Sequence, residues 1–138
     1  MLKQLSIFAE NHKGALQEIT GLLAGASINI LGSVTNDSAE YGIVRMIVSD
    51  PVKAETLLED KGYQCRITSV IGVELADEPG NLNRLLVVLS ESNVNVDYIY
   101  LSFGRKTGMP ILIFKTQDAL EVEELLSSKG FKPVEGVN

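Results

Sequence analysis

The sequence predicts an α+β protein made of two copies of one β-α-β-β-α-β unit, and three observations carry that prediction. Gly14 and Gly80, Leu16 and Leu82, and Asn29 and Asn95 all stand 66 positions apart (80−14, 82−16, 95−29). Apolar residues switch between alternation and spacings of three and four, the signatures of strand and helix. Caps and breakers fall between these segments at matching places in both halves.

In the first copy, Leu5, Ile7 and Ala9 alternate with Gln4, Ser6 and Phe8, which reads as a strand with one apolar face. The polar turn Asn11-His12-Lys13-Gly14 ends it. Leu16, Ile19, Leu22, Leu23 and Ala26 then form one stripe of a helix opposite Gln17, Glu18 and Thr20, and Gly25 is placed to close that helix in a left-handed conformation. Ile28 to Val34 and Tyr41 to Val48 read as strands joined by the turn Thr35-Asn36-Asp37-Ser38. Asp50-Pro51 starts a second helix, with Asp as N-cap and Pro where its missing N–H costs nothing. Ala54, Leu57 and Leu58 are its buried stripe, Lys61-Gly62 its end, and Tyr63 to Val70 the fourth strand.

No spacer follows, and Val73 and Leu75 open the first strand of the second copy. Leu82, Leu85, Leu86 and Leu89 give its first helical stripe, while Asp97 to Phe103 and Met109 to Lys115 are strands around the turn Gly104-Arg105-Lys106-Thr107-Gly108. Asp118 and Glu121 have the spacing of a capping box, ahead of Val122, Leu125, Leu126 and the terminal Lys129-Gly130. Two domains, 1–69 and 70–138, follow. Each is expected to be a four-stranded antiparallel sheet with two helices on one face, the ferredoxin-like plan in tandem.

With 138 residues, 45% hydrophobic and 22% charged, the chain has globular composition. Units of about 70 residues are marginal alone, so apolar surface is expected to be covered by the other copy or another chain. A net charge of −6 and scattered basic residues argue against nucleic acid and anionic membranes as partners. Tyr98, Tyr100 and Phe103 raise the question of RNA stacking, but the acidic balance makes the two tyrosines packing residues instead. The single Cys65 excludes an internal disulfide framework, and the first residues lack the apolar core of a signal peptide, so a cytoplasmic location is expected. One His12 and one Cys65 supply neither a nucleophile-base set nor a metal site, so neither an enzyme nor a cofactor is expected.

The turn before each first helix has chemistry of its own, because the first N–H groups of a helix lack partners and its dipole is positive there, which suits a carboxylate. Gly14 and Gly80 let a ligand approach the backbone, and an Asn amide both donates and accepts. The competing reading makes Asn11 and Asp77 helix caps. Asn29 and Asn95 open strands that disfavour Asn, which points to a polar role there.

Asp77-Glu78-Pro79-Gly80-Asn81-Leu82 resembles the Asp-x-Pro-Gly-x-Leu start of the ACT domain, and Ser27-Ile28-Asn29-Ile30 resembles its Gly-Ile-Asn-Ile strand opening. Lys13 stands where that family usually has Pro, and Asp77 stands where the first copy has Asn11. The chain is similar to stand-alone tandem ACT proteins, which implies a non-enzymatic amino-acid sensor with its ligand held across a domain interface. The resemblance implies a ligand set of Asn11, His12, Lys13, Gly14, Ala15 and Leu16 with Asn29 and Ile30, and of Asp77, Pro79, Gly80 and Asn81 with Asn95 and Val96. The first copy is expected to dominate, since Asp77 places a negative charge where a carboxylate approaches. Expected partners are a small-molecule amino acid, a second copy in a homodimer, because both faces of Tyr41 to Val48 carry apolar side chains, and an enzyme of amino-acid metabolism. The alternative is a scaffold or regulatory subunit of such an enzyme, acting through association without ligand.

Overall fold

In the computed structural model, which describes residues 1–10, 12–37 and 41–138, β1 (Leu2–Glu10) leads into α1 (Ala15–Gly25), β2 (Ile30–Asp37), β3 (Tyr41–Val48), α2 (Pro51–Asp60) and β4 (Gln64–Glu74). The chain continues with α3 (Asn81–Glu91), β5 (Tyr98–Phe103), β6 (Pro110–Lys115), α4 (Ala119–Ser128) and β7 (Lys132–Val134). It divides into two compact units, Lys3–Thr68 and Ser69–Asn138 with Met1–Leu2.

In the first unit the strand order is β2-β3-β1-β4, and β1 runs antiparallel to β3 with Leu5 opposite Met46 and Ile7 opposite Val44. Leu5, Ile7 and Ala9 share a face with Val44, Met46 and Val48, and Ile19 and Leu23 of α1 and Ala54 and Leu58 of α2 close the core over them. Strand residues two apart and helix residues four apart thus meet, which puts both helices on that face. In the second unit the order is β7-β4-β6-β5, all pairs antiparallel. Ile71, Val73, Leu75, Leu112 and Phe114 form its sheet side, covered by Leu85 and Leu89 of α3 and Val122 and Leu126 of α4.

Helix ends follow one rule in both units. Leu23, Leu58, Leu89 and Leu126 are the last buried residues of their helices, and four positions on come the left-handed Ser27 (φ 58°), Gly62 (φ 92°), Asn93 (φ 57°) and Gly130 (φ 88°). The next N–H then returns to the leucine carbonyl, as from Ile28 to Leu23 at 2.9 Å and from Phe131 to Leu126 at 3.0 Å. This is the wrapped end that satisfies orphan helix carbonyls. Gly62 and Gly130 act as expected, whereas Gly25 stays inside α1 because the distance from the core leucine sets the turn, and Ser27 takes it. At helix starts, Asp50 Oδ1 accepts from the Lys53 N–H at 3.1 Å as expected. Asp118 sits at φ 53° with no side-chain cap, so the capping box with Glu121 is not formed; a box needs an extended N-cap residue.

Three further expectations change. β2 runs on so that Thr35, Asn36 and Asp37 pair with Val44, Ile43 and Gly42 rather than turning, and Ser38 of that turn lies outside the described residues. β4 is one strand through Ser69 and Val70 instead of two, since nothing in this β-branched run breaks it. Gln4 and Ser6, assigned to the polar face of β1, are both buried, and Gln4 Nε2 donates to Ser6 Oγ at 3.0 Å. Ile47 is buried as well. The second face of this sheet is therefore buried in part, with Phe8 on it 40% exposed, and further exposed apolar area lies on the helices, at Leu16, Leu82, Leu86 and Val87, and on β5, at Leu101 and Phe103.

Candidate functional site

The turns before α1 and α3 are built alike. His12 N–H donates to the Glu10 carbonyl at 3.1 Å and Ala15 N–H to that of His12 at 3.2 Å, and Gly14 at φ 85° starts the helix with no side-chain cap. In the second unit Glu78 N–H donates to the Ala76 carbonyl at 2.9 Å, and Gly80 at φ 89° starts α3, again without a side-chain cap. Asp77 is thus not a helix cap. Asn81 fastens this turn, its Nδ2 donating to the Ala76 carbonyl at 2.8 Å. His12, Lys13, Asp77 and Pro79 are exposed; Asn11 lies outside the described residues.

At the strand openings Asn29 is exposed, its backbone joined to Ser49 through N–H to Oγ at 2.9 Å and carbonyl from N–H at 2.9 Å. Asn95 is also exposed, but its Nδ2 donates to Asp97 Oδ1 at 3.1 Å. Ile30 and Val96 are partly buried against the two cores and support these openings from beneath. Each turn and opening lie at opposite ends of an 11-residue helix, about 16 Å at 1.5 Å per residue. One unit therefore does not bring its own turn and its own Asn to one ligand. A cavity of about 340 Å³ beside Asn95 is lined by Asp97, Thr116, Asp118 and Glu121, an acidic setting unlike the turns.

A second cavity, of about 220 Å³, opens under the first turn of α1. His12, Ala15 and Leu16, expected from the turn motif, line it together with Thr35, Asn36 and Gly42. The last three were missed, two because they read as a hairpin turn. A legible signal was the small pair Ala9 and Gly42, which face each other across β1 and β3, since the second copy has Leu75 and Pro110 in their places.

Tyr63 ties the approach to β4 onto α1, its hydroxyl donating to Glu18 Oε1 at 2.6 Å. Burial first, then this bond and the Glu18 charge, push the phenol up to about 12. The neutral phenol is the form that the fold favours, so its contribution is intact below pH 10 and is lost as pH rises toward 12. Absorbance titration should show one of the four tyrosines ionising near pH 12, and Tyr63→Phe should remove that step. Ionisation of all four by pH 11 would contradict it. Burial, followed by the charges of Glu59 and Glu55, likewise pushes the Cys65 thiol up to about 11, which leaves it protonated and poorly nucleophilic near neutrality. Tyr100 is buried and offers no face to a base.

The family profile described as ACT domain pair matches residues 1–138. A crystallised protein from Bacteroides thetaiotaomicron is similar at 34% identity, over 96% of this chain and 91% of its own, with a TM-score of 0.87. The ligand-free regulatory subunit of aspartate kinase from Thermus thermophilus is 12% identical over 91% of each chain, TM-score 0.66. Its counterpart from Thermus flavus is 12% identical over 91% of this chain and 90% of its own, TM-score 0.61. At those two identities the likeness is one of fold. No protein of curated function matches the chain. The profile spans both units, with their paired left-handed glycines and strand-opening asparagines, and the chain belongs to the ACT domain pair family.

Proposed function

We propose that the chain is a non-enzymatic, amino-acid-binding regulatory protein of two ferredoxin-like ACT domains, residues 1–69 and 70–138, with ligand held at an interface between ACT domains. The observation that carries this reading is the helix start repeated in both units, a left-handed glycine with no side chain in the cap. It leaves first-turn N–H groups for a carboxylate and lets a ligand approach the backbone. Because turn and Asn stand a helix length apart within a unit, Asn29 serves a turn contributed by another ACT domain. Ligand then binds the paired arrangement more tightly than the separated one and shifts the assembly toward it.

The first turn is the stronger carboxylate site. In the second, Asp77 opposes the ligand with a like charge, costing about 4 kcal/mol at 4 Å and an effective dielectric near 20, and the Asn95 amide is already engaged by Asp97. Exposed Leu16, Leu82, Leu86 and Val87 suit association with a second copy in a homodimer or with an enzyme of amino-acid metabolism in the cytoplasm. Among the described residues no helix is long and apolar enough to cross a membrane. The same apolar residues also favour a second reading, a scaffold that associates without ligand.

A thermal-shift screen of the twenty amino acids should show one or a few raising Tm. By calorimetry Asn11→Ala or Asn29→Ala should weaken binding about tenfold, the loss of one hydrogen bond to a charged group, while Asp77→Asn should leave it unchanged or add a site. No response to any amino acid at millimolar concentration would favour the scaffold.

A further inference from the structure

We propose that the cavity beneath α1 of the first unit receives the bound amino acid, its two charged ends included, and that the ligand is an aliphatic one, of the size of valine, leucine, isoleucine or methionine. This rests on the amino-acid-binding reading above and adds the ligand class to it.

Size is the first argument. An apolar protein cavity of about 150 Å³ holds benzene, roughly 25 Å³ per carbon, so a volume of about 220 Å³ accommodates about nine non-hydrogen atoms, the size of leucine. Phenylalanine and tryptophan are larger, and glycine or serine would leave most of the wall without contacts. Chemistry is the second. Ala9, Ile19, Gly42 and Val44 give the apolar part of the lining, against which an aspartate carboxylate would lose its hydration without a partner. Glu10, His12 and Asn36 supply the polar part of the lining, suited to the ends that every amino acid shares.

The internal repeat supplies the third. At the offset of 66 the second copy has Leu75 for Ala9, Asn81 for Ala15 and Leu101 for Thr35, and past the longer middle turn it has Pro110 for Gly42, an offset of 68 (110−42). The correspondence is structural, since Ala9 faces Gly42 and Leu75 N–H donates to the Pro110 carbonyl at 3.0 Å. Larger residues thus stand in the second unit at each of these places. Nor does lack of room demand Gly42. A Cβ there would meet only the Asn36 carbonyl oxygen at 3.5 Å and that of Ala9 at 3.9 Å, ordinary contacts. Adding that carbon would take space from the cavity without straining the fold.

Calorimetric titration of the full chain with valine, leucine, isoleucine and methionine, against serine, aspartate, lysine and tryptophan, tests this together with Ala9→Leu and Gly42→Ala. The aliphatic four should bind best. Ala9→Leu should weaken them tenfold or more while ligand-free Tm holds or rises, and Gly42→Ala should weaken leucine severalfold, which keeps the test decisive if Ala9→Leu fails to fold. Unchanged aliphatic affinity in both variants, or preference for a charged, small polar or aromatic amino acid, overturns the proposal and leaves the amino-acid reading standing. Binding of none of these eight, with no response to any of the twenty in the thermal-shift screen, overturns both.

Discussion

Phe114→Ala should lower the free energy of unfolding by about 3–5 kcal/mol. Phe114 is fully buried on β6, opposite Ile71 of β4 on one side and Ile99 of β5 on the other, and belongs to the core closed by Leu85, Leu89, Val122 and Leu126. The ladders on both sides fix its backbone, so the space left by the ring cannot close and the cavity cost adds to the lost transfer free energy. Against a total stability of about 5–15 kcal/mol this is a large share. Urea unfolding followed by circular dichroism measures it, and a loss below about 1 kcal/mol would mean that the second core is not packed as described.

Ile19→Ala should cost about 2–5 kcal/mol by the same mechanism, and toward the lower end. Ile19 and Leu23 are the buried residues of α1, so the helix loses half of that anchor. Yet Ile19 also lines the cavity of about 220 Å³, and the side that faces this space has fewer neighbours to lose. The functional effect should be the clearer one. The cavity becomes wider, and the order of preference among amino acids in a thermal-shift series should move toward bulkier side chains, phenylalanine included. An unchanged order, with stability reduced, would separate Ile19 from ligand recognition.

Much of this architecture can be read from the residues themselves. Periodicity places Ile19, Leu23, Ala54 and Leu58 on the first core and Leu85, Leu89, Val122 and Leu126 on the second, because helical spacing projects those positions to one side whatever the tertiary context. Asp50-Pro51 and the glycines at 62 and 130 are local devices and act locally. Where the sequence misleads, non-local geometry decides. Ser27 does the work assigned to Gly25 because Leu23 is the last core contact, and Gln4 and Ser6 are buried with the Gln4 amide donating to the Ser6 hydroxyl. Leu16 and Leu82 lie on the predicted stripe but outside the core, since each sits in the first turn of its helix. The candidate site is legible as far as its turn, at His12, Ala15 and Leu16. Its far wall, at Thr35, Asn36 and Gly42, is brought there by strand pairing, and a cavity is defined by atoms that are missing, which a single copy of the repeat does not reveal.

The half-buried Cys65 makes the molecule convenient to label. With the thiol pushed up to about 11, about one molecule in a thousand carries a thiolate at pH 8, and derivatisation by a maleimide runs on the order of a hundredfold slower than at an ordinary exposed cysteine. A fluorophore or spin label can therefore be directed to a cysteine introduced on the exposed side of α2, for example by Val52→Cys, where the side chain is 66% exposed, with the natural cysteine left in place. Spectroscopic reporting of ligand-driven assembly then needs one substitution, and the first core keeps its native packing.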